Sequence, residues 1–307
     1  MTKRVFAFIV TIIIVFTSAG CNIIADVGKT ENTGNFVDID ALPKNGDYYL
    51  PGAAGEGFTV FFIDVGQADS AVLMCDGETM LIDGGNAADS SRVVAVLSKL
   101  QISHLKAIIC THAHEDHVGG LSGPLNVFDV DTVFAPKAGA KTKAYENFIL
   151  SLKRKNLSIS YPRFLEKLYI GSALVTFITP DIFITEEKSN LNNTSIVVKV
   201  EYGDTAFLFT GDAEKKLEDA IIDAGVSLSA DLLKVSHHGS EKSTSYRFLR
   251  EVMPEYAVIS VGKNSYGHPA DDVLSRLSDA RAKIYRTDLI GDIAVMSDGK
   301  NLKVITH

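Results

Sequence analysis

The stretch Thr111–Gly120 reads THAHEDHVGG and contains three of the eight histidines of this 307-residue chain. It follows the apolar run KAIIC, which predicts a buried strand that ends at the cluster. Because alternate side chains of a strand point to the same side, His112 and His114 can approach one common point. Asp116 and His117 follow in the turn and can approach a second point nearby. Imidazole and carboxylate groups at this spacing predict a site for Zn²⁺, Mn²⁺ or iron.

The order of the predicted elements indicates how the chain is organised. Strand-like apolar runs come first, as in FTVFFIDV and SAVLMC, and helices alternate with strands later. Helical spacing predicts helices over about Ser91–Leu100, Ala144–Lys155 and Glu214–Ala224, and the pair Gly203-Asp204 predicts a hairpin. This order suits an α+β fold in which two sheets pack together with helices outside.

The cluster HAHEDH resembles the His-x-His-x-Asp-His motif of the metallo-β-lactamase superfamily. The resemblance covers about residues 57–307. It implies a four-layered αββα sandwich of the α+β class, with the functional site at one edge of the sandwich.

Two further segments resemble motifs of the same superfamily. TMLIDGG resembles the first motif, in which Asp83 orients the ligands from behind. FLFTGD resembles the segment whose carboxylate bridges two metal ions, here Asp212. The resemblance therefore implies a centre for one or two divalent ions, Zn²⁺ or Mn²⁺, with Asp212 shared between them. The implied ligands from the first cluster are His112 and His114 for the first ion, and Asp116 and His117 for the second.

The adjacent histidines of LLKVSHHGS compete for the last ligand position, which the superfamily places at the end of a strand. Strand alternation puts His238 on the face of Lys234 and His237 on the face of Val235. If the face of Val235 packs into the core, His238 lines the site. We therefore predict His238 as the last ligand and place His237 behind it or against the substrate. The register at a strand end leaves both assignments open.

One position of the superfamily pattern is missing. The pattern places a histidine between the first cluster and the bridging aspartate, but no histidine occurs between His117 and His237. The first ion therefore has fewer protein ligands, and water or another group completes its coordination. Asn193, in NNTSIVV, is a candidate to bring an amide oxygen to the gap, which suits Mn²⁺ or Ca²⁺ better than Zn²⁺. The alternatives are that Asn193 binds substrate or is an ordinary loop residue.

Several linked segments resemble one branch of the superfamily, the hydrolase domain of ComEC-type competence proteins. They include FIDVGQADSAVL, NNTSIVVKVEYGDTAFLFTGD, LLKVSHHGSEKSTS and YAVISVGKNSYGHP. That branch also has no histidine between the first cluster and the bridging aspartate. It implies a phosphodiesterase that acts on nucleic acid, such as DNA, or on another phosphate-linked polymer.

The branch also implies roles for catalytic residues. A metal ion generates hydroxide at neutral pH, and the hydroxide attacks phosphorus. Asp116 and His237 lie at the reacting centre, Lys234 neutralises developing charge, and His268 protonates the leaving oxygen. The competing interpretations are a strand-end surface lysine for Lys234 and a turn-capping histidine for His268.

The N-terminal residues predict export. Lys3 and Arg4 precede an apolar run from Val5 to Phe16, which is short for a membrane span of about 20 residues. The sequence SAGC that follows resembles a bacterial lipoprotein signal, whose cysteine, Cys21, becomes lipidated. We expect a signal peptide over residues 1–20, a lipidated tether over 21–56 and a hydrolase domain over 57–307. The expected location is extracytoplasmic, anchored to the bacterial membrane by lipid, without a transmembrane channel.

The charge pattern narrows the function classes. The net charge is −8 and the sequence has no dense basic stripe, which argues against a nucleic-acid coat protein. Two alternatives to the phosphodiesterase remain. A β-lactam or ester hydrolase is disfavoured by the missing histidine. A non-catalytic metal- or polymer-binding accessory lipoprotein of an uptake system is disfavoured by the near-complete ligand set.

Overall fold

The computed structural model describes residues 57–185 and 190–306. The predicted signal peptide and tether lie outside these residues. Within the described ranges, no helix combines the length and apolar character needed to cross a membrane.

Fifteen strands form two sheets in the described chain. In chain order they are β1 (Phe58–Phe62), β2 (Ala71–Cys75), β3 (Glu78–Ile82), β4 (His104–Ile109), β5 (Asp129–Phe134), β6 (Ile159–Ser160), β7 (Lys167–Ile170), β8 (Ala173–Phe177), β9 (Val198–Tyr202), β10 (Thr205–Phe209), β11 (Leu232–Lys234), β12 (Tyr256–Ile259), β13 (Lys283–Arg286), β14 (Ile293–Ser297) and β15 (Leu302–Thr306). The first sheet has the order β15-β14-β1-β2-β3-β4-β5-β6, and the second has the order β13-β12-β11-β10-β9-β8-β7.

The helices of the described chain lie between these strands. They are α1 (Ser90–Lys99), α2 (Glu115–Val118), α3 (Ser122–Val127), α4 (Lys143–Arg154), α5 (Asp181–Thr185), α6 (Lys215–Asp223), α7 (Tyr246–Val252), α8 (Asp271–Asp279) and α9 (Thr287–Ile290). The predicted helices correspond to α1, α4 and α6, with ends within about one residue, and the predicted hairpin joins β9 to β10. These local predictions are confirmed.

Three buried apolar layers hold the elements together. The layer between the sheets is rich in phenylalanine, and the ring centroids of Phe58 and Phe207 lie 4.7 Å apart. A second layer packs α1, α3 and α4 on the outer face of the first sheet. A third packs α6, α7 and α8 on the outer face of the second sheet. Helix, sheet, sheet and helix therefore stack in that order, and the predicted αββα sandwich is confirmed.

Both sheets contain parallel strands whose carboxyl ends meet at one edge. Strands β3, β4 and β5 are parallel in the first sheet, as are β10, β11 and β12 in the second. A hydrogen bond of 2.9 Å from the Ile196 N–H, just before β9, to the Thr111 carbonyl, just after β4, links the two sheets there. The loops that leave these strand ends carry the functional side chains.

Candidate metal centre

The loop after β4 brings the first two histidines of the cluster together. His112 is fully buried, and its Nε2 lies 3.0 Å from Nδ1 of His114. The same Nε2 lies 3.8 Å from Oδ2 of Asp212. Nitrogen and oxygen atoms of these three residues all lie within 4.8 Å of one another, which is the spacing of a shared metal ion. We call His112, His114 and Asp212 the first ligand group.

The turn after β10 positions Asp212. Gly211 in this turn has φ +51°, and a Cβ atom there would lie 2.9 Å from Cβ and Oγ1 of Thr111. Glycine is therefore needed for both the left-handed backbone and the close approach. The Ser195 hydroxyl accepts a 3.0 Å hydrogen bond from the Asp212 N–H. The result is a buried carboxylate at a fixed position between the two sheets.

A second ligand group forms around the other oxygen of Asp212. It consists of Asp116, His117, Asp212 and His238, whose ligand atoms also lie within 4.8 Å of one another. Nε2 of His117 lies 3.2 Å from Oδ1 of Asp212, and Nε2 of His238 lies 3.2 Å from Oδ2 of Asp116. Asp212 thus belongs to both groups, as a bridging carboxylate would.

Asp83 fixes the orientation of His117 from behind. Its Oδ2 lies 2.8 Å from Nδ1 of His117, and its two oxygens accept hydrogen bonds from the N–H and the hydroxyl of Thr111 at 2.8 and 2.7 Å. Nδ1 of His117 faces Asp83, so Nε2 is the ring nitrogen that faces the centre and that an ion would bind. Asp83 therefore contacts the nitrogen of His117 that does not face Asp212.

The two adjacent histidines after β11 both turn towards Asp212. His237 and His238 have φ values of 52° and 51°, so the backbone leaves the alternating pattern of a strand. Nδ1 of His238 donates to the Ser260 carbonyl at 2.9 Å, which leaves Nε2 for the second group. Nε2 of His237 lies 3.6 Å from Oδ2 of Asp212. Strand alternation, which sends the two rings to opposite faces, does not hold at these positions.

The buried carboxylates and imidazoles of the centre lie close together and shift each other's pKa values. Burial acts to raise the pKa of Asp212, but the neighbouring His117 and His238 hold it well below its usual range. Burial acts to lower the pKa of His117, but Asp212 and Asp83 raise it well above its usual range. Nε2 of His117 and Oδ1 of Asp212 are buried without a hydrogen-bond partner. A divalent ion would satisfy both atoms, so this donor set fits one.

Lys234 lies beneath the centre and not at its mouth. It is only 4% exposed, and its ammonium contacts Oδ2 of Asp69 at 2.5 Å and donates to the Val235 carbonyl at 2.9 Å. The predicted contact with substrate does not fit this position, because the ammonium is buried and already paired. Its partner Asp69 belongs to FIDVGQADSAVL, one of the segments that carry the resemblance to competence proteins, but its pairing with Lys234 was not predicted. Oδ1 of Asp69 lies 3.3 Å from Nδ1 of His238. The contact comes from a distant turn, so no local pattern signals it.

Asn193 is also placed differently from the prediction. Its amide oxygen accepts a 3.3 Å hydrogen bond from the Leu217 N–H, and its Nδ2 donates to Glu214 at 3.4 Å. The side chain therefore ties its loop to the start of α6, and its amide oxygen is not free to complete the first group. Neighbouring Asn192 is buried, and its amide oxygen has no partner.

His268 lies at the rim of the centre. Its ring centroid is 5.4 Å from that of His237 and 6.5 Å from that of His238. Nδ1 of His268 lies 3.4 Å from Nε2 of Gln67, whose Oε1 accepts a 3.3 Å hydrogen bond from the Gly262 N–H. Desolvation and the nearby histidines lower the pKa of His268 to about 4. The ring is therefore neutral near pH 7.

An αββα sandwich with two groups of imidazoles around one buried carboxylate defines a metal-dependent hydrolase. The model of the metallo-beta-lactamase superfamily matches residues 63–263. The chain belongs to that superfamily.

Curated relatives point to one part of the superfamily. ComE operon protein 3 of Bacillus subtilis is 29% identical over 265 residues, which are 80% of this chain and 34% of that protein. Competence protein ComA of Neisseria gonorrhoeae is 29% identical over 252 residues, 79% of this chain and 33% of that protein. Ribonuclease J of Synechocystis is 30% identical over 184 residues, 56% of this chain and 26% of that protein. The chain therefore spans about a third or less of these relatives.

Solved structures agree on the fold. The metallo-beta-lactamase fold protein YhfI from Bacillus subtilis superposes with a TM-score of 0.52 at 13% identity, over 78% of this chain and all of that one. At this identity the likeness concerns the fold alone.

Proposed function

We propose that this protein is a phosphodiesterase that cleaves nucleic acid or a similar phosphate-linked polymer at a binuclear metal centre. The observation that carries the proposal is the position of Asp212, whose two oxygens face two separate ligand groups. Two ions about 3.5–4 Å apart are the usual arrangement in phosphatases and nucleases, where they stabilise the attacking and leaving oxygens together.

Each of the two ligand groups would bind one divalent ion. His112, His114 and Asp212 would hold one ion. Asp116, His117, Asp212 and His238 would hold the other. When bound, the divalent ions lower the pKa of water to about 7 and offset charge on the phosphate.

His268 acts on the leaving-group side of the phosphate. Because Gln67 donates to Nδ1, the proton of the neutral ring lies on Nε2, the ring nitrogen left for substrate. This N–H donates a hydrogen bond to a phosphate or leaving oxygen, which favours the transition state as charge develops there. This role differs from the predicted protonation of the leaving oxygen, because a neutral imidazole donates a hydrogen bond but keeps its Nε2 proton near pH 7.

Nucleic acid is the favoured substrate class. One relative is named as a competence protein and another as a ribonuclease, and they align over 79% and 56% of this chain. Tyr266 is 75% exposed, and its ring centroid lies 5.7 Å from that of His268. An exposed aromatic face beside the reacting centre suits stacking with an unpaired base.

The proposal also includes export and lipid anchoring at Cys21, which rest on the sequence alone.

Turnover with defined metals tests the activity. The purified protein is incubated with Zn²⁺ or Mn²⁺ and assayed on bis-p-nitrophenyl phosphate, single-stranded DNA and nitrocefin. We expect cleavage of both phosphodiesters, a loss of at least about 100-fold in Asp212→Ala, and no nitrocefin turnover. His104→Ala is the matched control. This exposed histidine begins β4, pairs with Asp131 of β5 and belongs to neither ligand group. Nitrocefin turnover would favour the β-lactamase alternative, and metal binding without any turnover would favour the accessory lipoprotein.

An abasic oligomer tests the substrate class. We compare an oligothymidylate with an oligomer of the same length and charge that lacks bases. Stacking of about 1–3 kcal/mol per base corresponds to about 5–150-fold in kcat/KM, which Tyr266→Ala should lose for the oligothymidylate only. Tyr169→Ala, at a tyrosine 55% exposed on β7, is the control. Equal rates for both oligomers in every variant would point to a phosphate polymer without bases.

A further inference from the structure

The two oxygens of Asp212 divide the surrounding histidines evenly. Oδ1 lies 3.2 Å from Nε2 of His117 and 3.9 Å from Nε2 of His238. Oδ2 lies 3.8 Å from Nε2 of His112 and 3.6 Å from Nε2 of His237. Each oxygen therefore has two imidazole nitrogens at comparable distances, and His237 belongs to the oxygen of the first ligand group.

These distances are close to those between two ligands of one ion. Zinc–ligand bonds of about 2.0–2.1 Å in a tetrahedral arrangement place neighbouring ligand atoms about 3.3–3.4 Å apart. The separation of His237 from Oδ2 exceeds that range by a few tenths of an ångström, and is shorter than the separation of His112 from the same oxygen. Nε2 of His237 thus lies closer to Oδ2 than Nε2 of His112 does, although His237 is not among the residues whose ligand atoms all lie within 4.8 Å of one another in the first group.

The backbone around His237 is shaped to bring its ring inward. Two consecutive non-glycine residues in the left-handed region are costly, and such strain is found mainly where function requires it. The His237 N–H donates to the Gly211 carbonyl at 3.1 Å, so the strained turn is attached directly to the loop of Asp212. An extended chain would point one of the two rings away from the centre. The left-handed pair points both rings at it.

A carboxylate lies behind His237, as it does behind His117. Nδ1 of His237 is 3.5 Å from Nδ2 of Asn192 and 3.9 Å from Oε1 of Glu214. The side chains of Asn190 and Asn192 hold Glu214 through hydrogen bonds of 2.7 and 3.0 Å. Metal-bound histidines usually direct their second nitrogen to such an acceptor. A small rotation of the ring on ion binding would close this contact and direct the Nε2 lone pair at the first ion.

We propose that His237 supplies the imidazole that the first ligand group lacks. Both adjacent histidines are then ligands, with His238 on the second ion and His237 on the first. The inference rests on the proposed binuclear centre. It replaces the predicted choice between the two residues, and it assigns His237 to the metal and not to the substrate.

Metal titration tests this assignment without relying on activity. The metal-depleted protein is titrated with Zn²⁺ by calorimetry, and bound metal is counted after gel filtration. The variant is His237→Asn, because asparagine tolerates positive φ and removes the imidazole. His268→Ala, which removes a rim histidine that holds no ion, is the control. Circular dichroism confirms that each variant is folded.

The proposal expects two ions in the wild type and in His268→Ala. In His237→Asn one ion should bind as before, and the affinity for the other should fall by at least about 10–100-fold. With Co²⁺ in place of Zn²⁺, the visible absorption of only one of the two ions should change. If His237→Asn binds both ions with wild-type affinity, His237 is not a ligand and the inference is overturned. A wild type that takes up only one ion would instead overturn the binuclear centre itself, a separate and recognisable result.

Discussion

The substitution Lys234→Met distinguishes a buried structural lysine from one that contacts substrate. In the structure its ammonium lies 2.5 Å from the Asp69 carboxylate, and both side chains are at most 7% exposed. Methionine keeps the volume of the lysine stem and removes its charge. Asp69 would then be a buried carboxylate without its cation, while the metal ligands themselves would be unchanged.

The geometry of the Lys234–Asp69 pair determines how much stability Lys234→Met should lose. At an effective dielectric constant of about 20, unit charges at this separation attract by about 7 kcal/mol, and desolvation offsets part of that. Removing one partner of a buried pair typically costs about 3–5 kcal/mol. At about 2–4 °C for each kcal/mol in a domain of this size, we expect Tm to fall by about 6–20 °C.

The loss of folding stability in Lys234→Met should depend on pH. Burial acts to raise the pKa of Asp69, but Lys234 and His238 lower it to about 2 from 3.8. A lowered carboxyl pKa stabilises the fold above the unfolded pKa, and this contribution disappears as pH falls through about 2. In Lys234→Met the effect of burial is no longer opposed by the lysine. The deficit of the variant is therefore greatest near pH 7 and becomes smaller as Asp69 takes up a proton at acid pH.

Urea unfolding of metal-depleted and metal-loaded protein at pH 7 and at pH 4 measures this loss. Lys283→Met is the matched control, because Lys283 pairs with Glu255 at 3.1 Å on the surface, where a pair contributes about 0–1 kcal/mol. The double variant Asp69→Asn with Lys234→Met should recover part of the stability. If Lys234→Met unfolds at the wild-type urea concentration and loses only turnover, the lysine acts on substrate and our interpretation is refuted.

Three further predictions concern the loops of the centre. Asp83→Asn should weaken binding of one ion by about 10–100-fold in a chelator competition, and unchanged affinity would show that the carboxylate does not orient a ligand. Gly211→Ala should cost at least about 1–3 kcal/mol in urea unfolding, because its Cβ meets Thr111 and its φ is positive. Gln67→Ala should free the His268 ring and reduce DNA cleavage more than p-nitrophenyl ester cleavage, since only the poor leaving group needs the donor. An equal loss on both substrates would argue against that role.

The His-x-His-x-Asp-His cluster could be predicted from the sequence because its residues are close together in the chain. These four ligands occupy six positions shortly after β4. His112 and His114 lie in the loop that follows the strand, and Asp116 and His117 lie in α2. Helical spacing located α1, α4 and α6 for the same reason, since an amphipathic period is a property of a single element. The family resemblance then added Asp83 and Asp212 from other strands.

The placement of the lysine, the asparagine and the two adjacent histidines needed the tertiary structure. Lys234 pairs with Asp69 from a turn of the other sheet, and Asn193 is engaged by Glu214 and by the start of α6. Nothing in a local period encodes a contact between distant segments.

The adjacent histidines show most clearly what the sequence determines and what only the tertiary structure decides. The sequence by itself determined that a metal-binding cluster ends a buried strand of an αββα sandwich, because periodicity and ligand spacing act over a few residues. Alternation along a strand allowed only one of His237 and His238 to face the centre. The left-handed backbone at both positions, held by the Gly211 carbonyl from a neighbouring loop, turned both rings towards Asp212. Such a conformation depends on the packing of two loops against each other, and only the folded chain brings them together.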